Sequence, residues 1–528
     1  MFLGKWSYNN FLNLRRILRC FYLTSGLKVN LLKCNVYGIG VSEMEIQHMA
    51  NIIDCKKGSF PFKHLGLTVG ANMNLTRNWD PVIDTFRSRL SIWKAKHLSY
   101  GGRITLLKSV LNSLPTYYFS LFKAPIQVID SLERIRQVFF WGGDEEKAKM
   151  NWVAWEKTIA PVEYGGLGFG SLKDANLAML AKWWWRFRVQ REGLWRNVIW
   201  AFHHNNRSWA AIPVKVSITG PWKQIVSIND ILARRGIDLR TAIKAVVADG
   251  LNTPFWLDNW LGDTSLNIRF PSLFSLEKNK LCTVSNRIRT NSSGPLITWD
   301  WARPITDGSE SAEFQVLLGL LSVVVVSQGV DKQVWNMDDT GLFSVSSIKK
   351  ILSSTDRTLP SRIFSWNNWI PKKVGMVAWR AEKDRLPTRE ALIRRQINIT
   401  DASCVLCGEC MESSEHLFVA CHFAQTVWQN IASWCKIPPI VAFDFKDLLD
   451  LHDFSSGPQK RKKTMQAIFH IVIWCIWKTR NEVIFRNSQP NVIKVLEEVK
   501  SLGYLWVKNR SRETSITWEG WSRFSVFE

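Results

Sequence analysis

No stretch of the 528-residue sequence is long and apolar enough to predict a membrane span. The longest apolar runs, residues 314–326 and 467–477, contain polar residues and are shorter than the roughly 18 residues that a transmembrane helix needs. We interpret both as buried segments. The N-terminus also lacks the basic segment, apolar segment and cleavage site of a secretory signal, so we expect an intracellular protein, nuclear or cytoplasmic, that is not secreted.

Acidic residues are scarce relative to basic ones. The chain has 69 Lys and Arg against 45 Asp and Glu, a formal net charge of +24. This surplus favours polyanionic partners through electrostatic attraction and counterion release. We therefore predict RNA, DNA or both as partners, whereas no feature indicates a small-molecule substrate, a membrane or an oligomeric state.

The sequence has no repeat of fixed period, which excludes solenoids and propellers. Its hydrophobic content of 46% excludes a disordered chain, and its length predicts roughly three or four domains. Apolar residues recur every three or four positions over residues 79–200, as in helices, whereas residues 201–330 mix strand-like runs with turn signals. The predicted fold class is mixed α+β, mainly helical.

Seven basic residues and only two acidic ones lie between residues 77 and 108, interleaved with Trp79, Phe86 and Trp93. Cations that follow phosphates and rings that stack on bases suit a strand of nucleic acid. The same pattern also fits a solvated helix face above a tryptophan core. Under the first interpretation, the predicted phosphate contacts are Arg87, Lys94, Lys96 and Arg103.

Two further segments are notable, one for its tryptophans and one for its positive charge. The three tryptophans of residues 183–185 cannot share one helix face, so we expect at least one ring to be exposed or at an interface. The basic run at residues 460–463 is typical either of a nuclear-import or phosphate-binding segment, or of a solvated loop.

Cysteine is clustered near the C-terminus. Cys404, Cys407, His416 and Cys421 give the pattern C-x2-C-x8-H-x4-C. Two thiolates on a C-x2-C turn, completed by a later His and Cys, form a closed tetrahedral zinc site with no open position for catalytic water. We predict a structural Zn²⁺ ion. Cys410 and His422 are alternative ligands, and coincidental clustering of reduced thiols is the competing interpretation.

Two other motifs look catalytic. Asp338 and Asp339 could hold metal ions as paired aspartates do in polymerases, but the following Thr340-Gly341 favours a turn within a hairpin-like segment, residues 334–345. The glycine-rich residues 165–170 lack the lysine and hydroxyl residue of a phosphate-binding loop. They predict a tight, close-packed connection instead.

Many ordered segments together resemble the reverse transcriptase protein of plant LINE-type, non-LTR retrotransposons, with its C-terminal zinc-binding domain. Examples are Trp93-Lys94-Ala95-Lys96-His97-Leu98-Ser99-Tyr100-Gly101-Gly102-Arg103 and Phe139-Phe140-Trp141-Gly142-Gly143. The other similar segments lie at residues 2–7, 25–30, 62–67, 165–168, 255–260, 341–345, 385–388, 416–418 and 427–428. The resemblance covers nearly the whole chain.

The resemblance implies five regions. These are a palm remnant at 1–75, a helical thumb or connector at 76–200, a linker domain at 201–330, a zinc-binding domain at 331–437 and a helical region at 438–528.

In the family the catalytic Phe/Tyr-Ala-Asp-Asp motif lies just before the segment that starts here at Phe2. The resemblance therefore implies a truncated protein that binds zinc and nucleic acid but has no catalytic residue. One alternative is RNA-directed DNA polymerase activity, with Mg²⁺ and a palm supplied elsewhere. The other is a non-binding relic or a protein-interaction scaffold.

Overall fold

The computed structural model describes residues 2–93, 98–143, 149–204, 211–291, 294–306, 308–355, 357–360, 362–453, 457–511 and 516–525. Helix accounts for 54% and strand for 6%, which confirms a mainly helical α+β protein. None of the helices in these segments combines the length and hydropathy that crossing a membrane requires.

The first two helices and the first strand enclose a small core of their own. The N-terminal elements are, in chain order, α1 (Tyr8–Ser25), β1 (Asn35–Val36), α2 (Glu43–Ile53), β2 (Lys56–Lys57), β3 (Phe62–His64) and β4 (Leu67–Val69). Strands β1 and β2 pair in parallel, and β3 and β4 pair antiparallel. Helix α1 ends at Ser25 because Gly26 adopts the left-handed conformation, with φ of 70°.

Two distant parts of the chain build the largest hydrophobic core, the main core. It contains buried apolar residues from 73–172 and from 364–524. The first part supplies α3 (Asp80–Trp93), α4 (Tyr100–Leu106), a π-helical turn (Leu107–Leu111), α5 (Thr116–Phe119), α6 (Ile126–Trp141), α7 (Trp155–Ile159) and the start of α8 (Leu172–Val189). In α6 the apolar spacing explains the packing, because Val128, Leu132 and Phe139 all face inward.

The middle of the chain forms two smaller cores. The elements of this region are α9 (Leu194–His203), α10 (Pro221–Ala233), α11 (Leu239–Ala242), β5 (Ile243–Val246), α12 (Leu266–Arg269), α13 (Pro271–Leu276), α14 (Val284–Arg287), β6 (Ile288–Asn291), β7 (Gly294–Ile297), α15 (Ser309–Leu321), β8 (Lys332–Trp335) and α16 (Val345–Ser354). The second core joins α8, α10 and α16, and the third lies within residues 255–321. Antiparallel pairs are β5 with β8 and β6 with β7.

The C-terminal part of the main core surrounds one long helix. The elements here are α17 (Lys372–Glu382), α18 (Arg389–Ile393), a π-helical turn (His416–Ala420), α19 (His422–Cys435), α20 (Phe445–Asp450), α21 (Gln459–Arg486), α22 (Val492–Ser511) and α23 (Trp518–Ser522). Helix α21 packs against α17, α19, α20 and α22. It is therefore apolar on nearly every side between Met465 and Trp477.

The two apolar runs differ in burial. Residues 467–477 lie inside α21 and are buried apart from a half-buried Trp474, which confirms the prediction for that run. Residues 314–326 are buried only in part, so the prediction for them is wrong in its extent. Leu317 and Leu321 face the third core, whereas Val323 and Val325 follow the end of α15 and are exposed. The predicted domain boundaries stay a prediction.

The glycine loop, residues 165–170, is as tightly packed as predicted. A Cβ atom at Gly166 would lie 2.2 Å from the carbonyl oxygen of Ala160, and Gly165 adopts a φ of 74°. The carbonyl oxygen of Gly165 accepts a 3.0 Å hydrogen bond from the Trp379 indole on α17. The loop therefore ties the two parts of the main core together.

Replacing Gly166 by alanine is expected to destabilise the protein by about 3 kcal/mol, because the new methyl group collides with backbone that cannot rotate away. Gly319→Ala is the matched control, since it lies in helix α15 with nothing within 4 Å of the added Cβ. That variant should be stabilised by about 0.5–1 kcal/mol. Urea-unfolding midpoints compare the two; equal midpoints would contradict the close packing at Gly166.

Candidate metal centre and nucleic-acid interface

The first two candidate ligands lie on a tight turn. The amide of Gly408 donates to the carbonyl oxygen of Cys404 at 2.7 Å, and the amide of Cys404 donates to the carbonyl oxygen of Cys410 at 2.7 Å. Gly408 has a φ of 76°, which a residue with a Cβ adopts less readily. The turn brings the Cys404 and Cys407 side chains to one side.

The other two candidate ligands bracket the π-helical turn. The amide of Cys421 donates to the carbonyl oxygen of His416 at 2.7 Å, immediately before α19 begins. Between them, Leu417 and Phe418 are fully buried in the main core. This anchoring holds His416 and Cys421 opposite the C-x2-C turn.

The four side chains converge to the separations that a zinc ion needs. The Sγ atoms of Cys404 and Cys421 are 3.9 Å apart, and Cys407 Sγ lies 3.2 Å from His416 Nε2. All four ligand atoms lie within 4.8 Å of one another. A tetrahedral zinc site with ordinary bond lengths has S···S and S···N edges of about 3.8 and about 3.6 Å. The arrangement is therefore compatible with a structural zinc ion.

Burial suits a closed site, and it also affects the protonation of the ligands. Cys404 and Cys421 are fully buried, and His416 is nearly so. Burial lowers the pKa of His416, which favours the neutral imidazole. The Cys404 thiol donates a hydrogen bond to Cys421, which lowers the pKa of Cys421 and favours its thiolate; the same bond, together with burial, raises the pKa of Cys404 and favours its thiol. Zinc binds neutral imidazole and thiolates, so Cys404 would lose its proton when the metal binds.

The alternative ligands lie outside this cluster. Cys410 and His422 are both exposed, and neither belongs to the group of converging side chains. The structure thus brings together the four residues predicted from their spacing. Their role as ligands stays a prediction that metal analysis can test.

A buried ion pair that the sequence does not reveal supports the same loop. Arg480 on α21 contacts Glu412 with Nη2–Oε1 and Nε–Oε1 distances of 2.5 and 3.1 Å, and the two side chains are 3% and 0% exposed. Glu412 also accepts a 3.0 Å hydrogen bond from the amide of Arg389. Glu412 lies between the C-x2-C turn and His416, so the pair fixes the loop to α21.

The predicted phosphate contacts have different surroundings. Arg103 is buried, and its guanidinium donates to the carbonyl oxygen of Phe140 at 3.1 Å. This burial does not fit a phosphate contact, because the charge faces the protein. Arg87 is half exposed and lies 3.6 Å from Asp84. Lys94 and Lys96 lie outside the described residues.

The aromatic residues near these arginines mainly serve packing. Trp79 and Phe86 are fully buried, as the helical interpretation expects. Of the three adjacent tryptophans, Trp184 is buried, whereas the half-buried Trp183 donates to the carbonyl oxygen of Ser120 at 2.6 Å. Trp185 stacks on Phe343 with ring centroids 6.0 Å apart, so the two half-buried rings lie at interfaces between elements.

The basic run at 460–463 lies in the first turn of α21, so the prediction of a loop is wrong. Its side chains also pack on the protein. The Arg461 guanidinium lies 5.5 Å from the Phe524 ring, and the Lys463 ammonium lies 4.6 Å from the Trp369 ring. Beyond this turn helix α21 continues into its buried apolar segment.

Asp338 and Asp339 form a turn, as their context predicts. Asp338 Oδ1 accepts from the amide of Thr340 at 3.0 Å, and the amide of Gly341 donates to the Asp338 carbonyl oxygen at 3.0 Å. The predicted hairpin is only partly present, because β8 takes β5 as its strand partner. Among the described residues, the single cluster of three or more His, Cys, Asp or Glu with converging ligand atoms is the Cys/His cluster.

Comparisons with known proteins agree with the chemistry of this region. Residues 343–428 match the family described as zinc-binding in reverse transcriptase. The chain is 25% identical over 421 residues to "Putative ribonuclease H protein At1g65750" of Arabidopsis thaliana, covering 77% of this chain and 64% of that protein. It is 32% identical over 152 residues to "Uncharacterized mitochondrial protein AtMg00310" of the same plant, covering 29% of this chain and 94% of that protein. The chain thus spans less than two thirds of the length of the first relative.

Proposed function

We propose that this chain, which belongs to the same family as the Arabidopsis mitochondrial protein AtMg00310, is a nucleic-acid-binding protein of reverse-transcriptase origin. A structural zinc ion stabilises its C-terminal region in this proposal. The observation that carries it is the closed Cys/His cluster, whose ligand atoms converge within 4.8 Å inside residues that match a reverse-transcriptase zinc-binding domain. LINE-type ancestry is part of the proposal and is supported by the order of the similar segments.

Zinc would be held by Cys404, Cys407, His416 and Cys421. Four protein ligands fill a tetrahedral coordination sphere, so the ion supplies folding energy rather than an activated water. The chain's contribution is to exclude solvent from the cluster and to fix the loop through Glu412. Nucleic acid is the proposed partner because the net charge of +24 favours a polyanion.

Affinity for single-stranded RNA and duplex DNA is expected to fall steeply with salt, because bound phosphates release counterions. The test is fluorescence-anisotropy titration of the purified full chain between low and physiological salt. At least six phosphate contacts predict a loss of about 10³ in affinity between 50 and 200 mM salt. Binding that ignores salt, or no binding at low salt, would overturn the nucleic-acid part and favour a protein-interaction scaffold.

The second candidate is RNA-directed DNA synthesis, favoured by the match to a domain of reverse transcriptases. In this candidate the chain works together with a palm that carries the metal-binding aspartates. Primer extension with Mg²⁺ tests it when this chain is added to a separate reverse-transcriptase palm, and the chain alone and its Asp338→Ala variant are the controls. Synthesis that this substitution abolishes would place metal chemistry at the turn of residues 338–341, against the structural role described above.

A further inference from the structure

Two lysines from separate segments lie against the glycine loop, and two more are close enough to repel them. The Lys383 Nζ atom lies 3.1 Å from the position of a Cβ at Gly165, and the Lys108 Nζ atom lies 3.5 Å from that position at Gly168. Lys372 repels Lys108, and Lys157 repels Lys383. We call these residues the lysine cluster: Lys108, Lys157, Lys372 and Lys383.

The charge of the lysine cluster is not neutralised within the described part of the chain, where none of the four ammonium groups forms an ion pair with a carboxylate. Glu382, the neighbour of Lys383, pairs with Arg362 instead. Burial is the main cause that lowers the pKa of Lys108 and Lys383. Repulsion from Lys372 adds to it at Lys108, whereas at Lys383 attraction by Glu382 opposes it and repulsion from Lys157 adds to it. An anion placed among them would relieve both effects.

Helix α17 adds positive potential beside Lys372, at its amino end, whereas Lys383 follows its carboxyl end. Lys372 and Lys373 are its first two residues, and its first turn contains no acidic residue. The amino end of a helix carries partial positive charge and normally favours acidic side chains there. Cations at this end are electrostatically unfavourable for the isolated protein, which is the arrangement expected where an anion binds.

The surroundings suit an extended polyanion. Lys108, Lys157 and Lys372 are exposed, and Gly168 has no side chain to block an approaching phosphate. The Lys372 ammonium lies 5.1 Å from the centre of the Trp366 ring, which is half buried. Cations beside a partly accessible aromatic ring are typical of surfaces that bind nucleic-acid strands.

We infer that the lysine cluster is the surface on which the phosphodiester backbone of nucleic acid lies. The inference rests on the proposed nucleic-acid function and gives it a location. The surface lies on the two parts of the main core that the Trp379 to Gly165 hydrogen bond joins. It is distinct from Arg103, whose charge is buried.

The test compares two triple variants that lose the same charge. The first is Lys108→Gln, Lys372→Gln and Lys383→Gln, and the second is Lys28→Gln, Lys332→Gln and Lys446→Gln, three exposed lysines elsewhere. Removing three phosphate contacts should lower the log–log salt slope by about 2 to 3 and weaken binding about tenfold or more at 0.1 M salt. The control variant should bind like the wild type.

The unfolding midpoint and the zinc content of both triple variants are measured first, so that a loss of binding is not caused by misfolding. The single variant Lys108→Gln provides a milder change. Acetylation of the wild-type lysines with and without RNA provides a second readout by mass spectrometry, in which Lys108 and Lys372 should be protected and Lys332 should not. If the wild type binds and the cluster variant matches the control, the location is wrong while the proposed function stands. If the wild type does not bind at low salt, both are overturned.

Discussion

Replacing Cys407 by serine is expected to remove one equivalent of zinc and to destabilise the C-terminal half of the main core by more than about 4 kcal/mol. A serine hydroxyl does not replace a thiolate in a tetrahedral zinc site. Cys407 is only half buried, so the serine itself adds little strain. The loss of stability would therefore report the loss of the metal.

The effect should extend beyond the loop because the cluster belongs to a large core. Cys404, Leu417 and Cys421 lie in the same core as α6 and α17. Without zinc, the two buried thiols and His416 lose the interaction that holds them together. We expect faster hydrogen exchange in residues 402–421 first and in α19 next.

The chain offers a closely matched control for this prediction. Cys410 lies three residues further along the same loop and is exposed. Cys410→Ser should keep one zinc ion per chain by mass spectrometry and should leave hydrogen exchange unchanged. A Cys407→Ser protein that keeps its zinc, or a Cys410→Ser protein that loses it, would show that the ligand set is different.

The local part of the site could be predicted from the sequence. The four candidate ligands lie within one short segment, so their spacing alone restricts them to a common centre. The glycine loop was predictable for the same reason, because consecutive glycines permit close packing that other residues do not. The structure adds that His416 and Cys421 are buried in the cluster, whereas Cys410 and His422 are exposed.

Contacts between distant segments were not predictable. Arg103 belongs to a basic stretch, and nothing in that stretch indicates that its guanidinium faces Phe140 and the left-handed Gly142, where a Cβ would lie 2.5 Å from it. The lysine cluster draws on residues from three segments, so no local pattern reveals it. Net charge predicted a polyanionic partner, but only tertiary packing shows which charges remain on the surface.

The Glu412–Arg480 pair joins residues 68 positions apart, and breaking it is the other change with a large expected effect. Arg480→Met should cost about 3–5 kcal/mol of unfolding free energy, because it leaves a buried carboxylate without its counterion. Because Glu412 lies in the loop between the C-x2-C turn and His416, zinc affinity should fall as well.

A double variant separates the buried charge from lost packing. Glu412→Gln in the Arg480→Met background removes the uncompensated charge and keeps an acceptor for the Arg389 amide, so it should recover part of the loss. Arg523→Met is the control, since Arg523 and Glu519 form an ion pair in which both side chains are about three-quarters exposed, and such a pair is worth about 0–1 kcal/mol. Urea-unfolding midpoints are measured for all three variants. If Arg480→Met shifts the midpoint no more than Arg523→Met does, the pair is solvated and the loop is held by zinc alone. If the double variant is no more stable than Arg480→Met, the lost stability comes from the packing of the arginine side chain rather than from its charge.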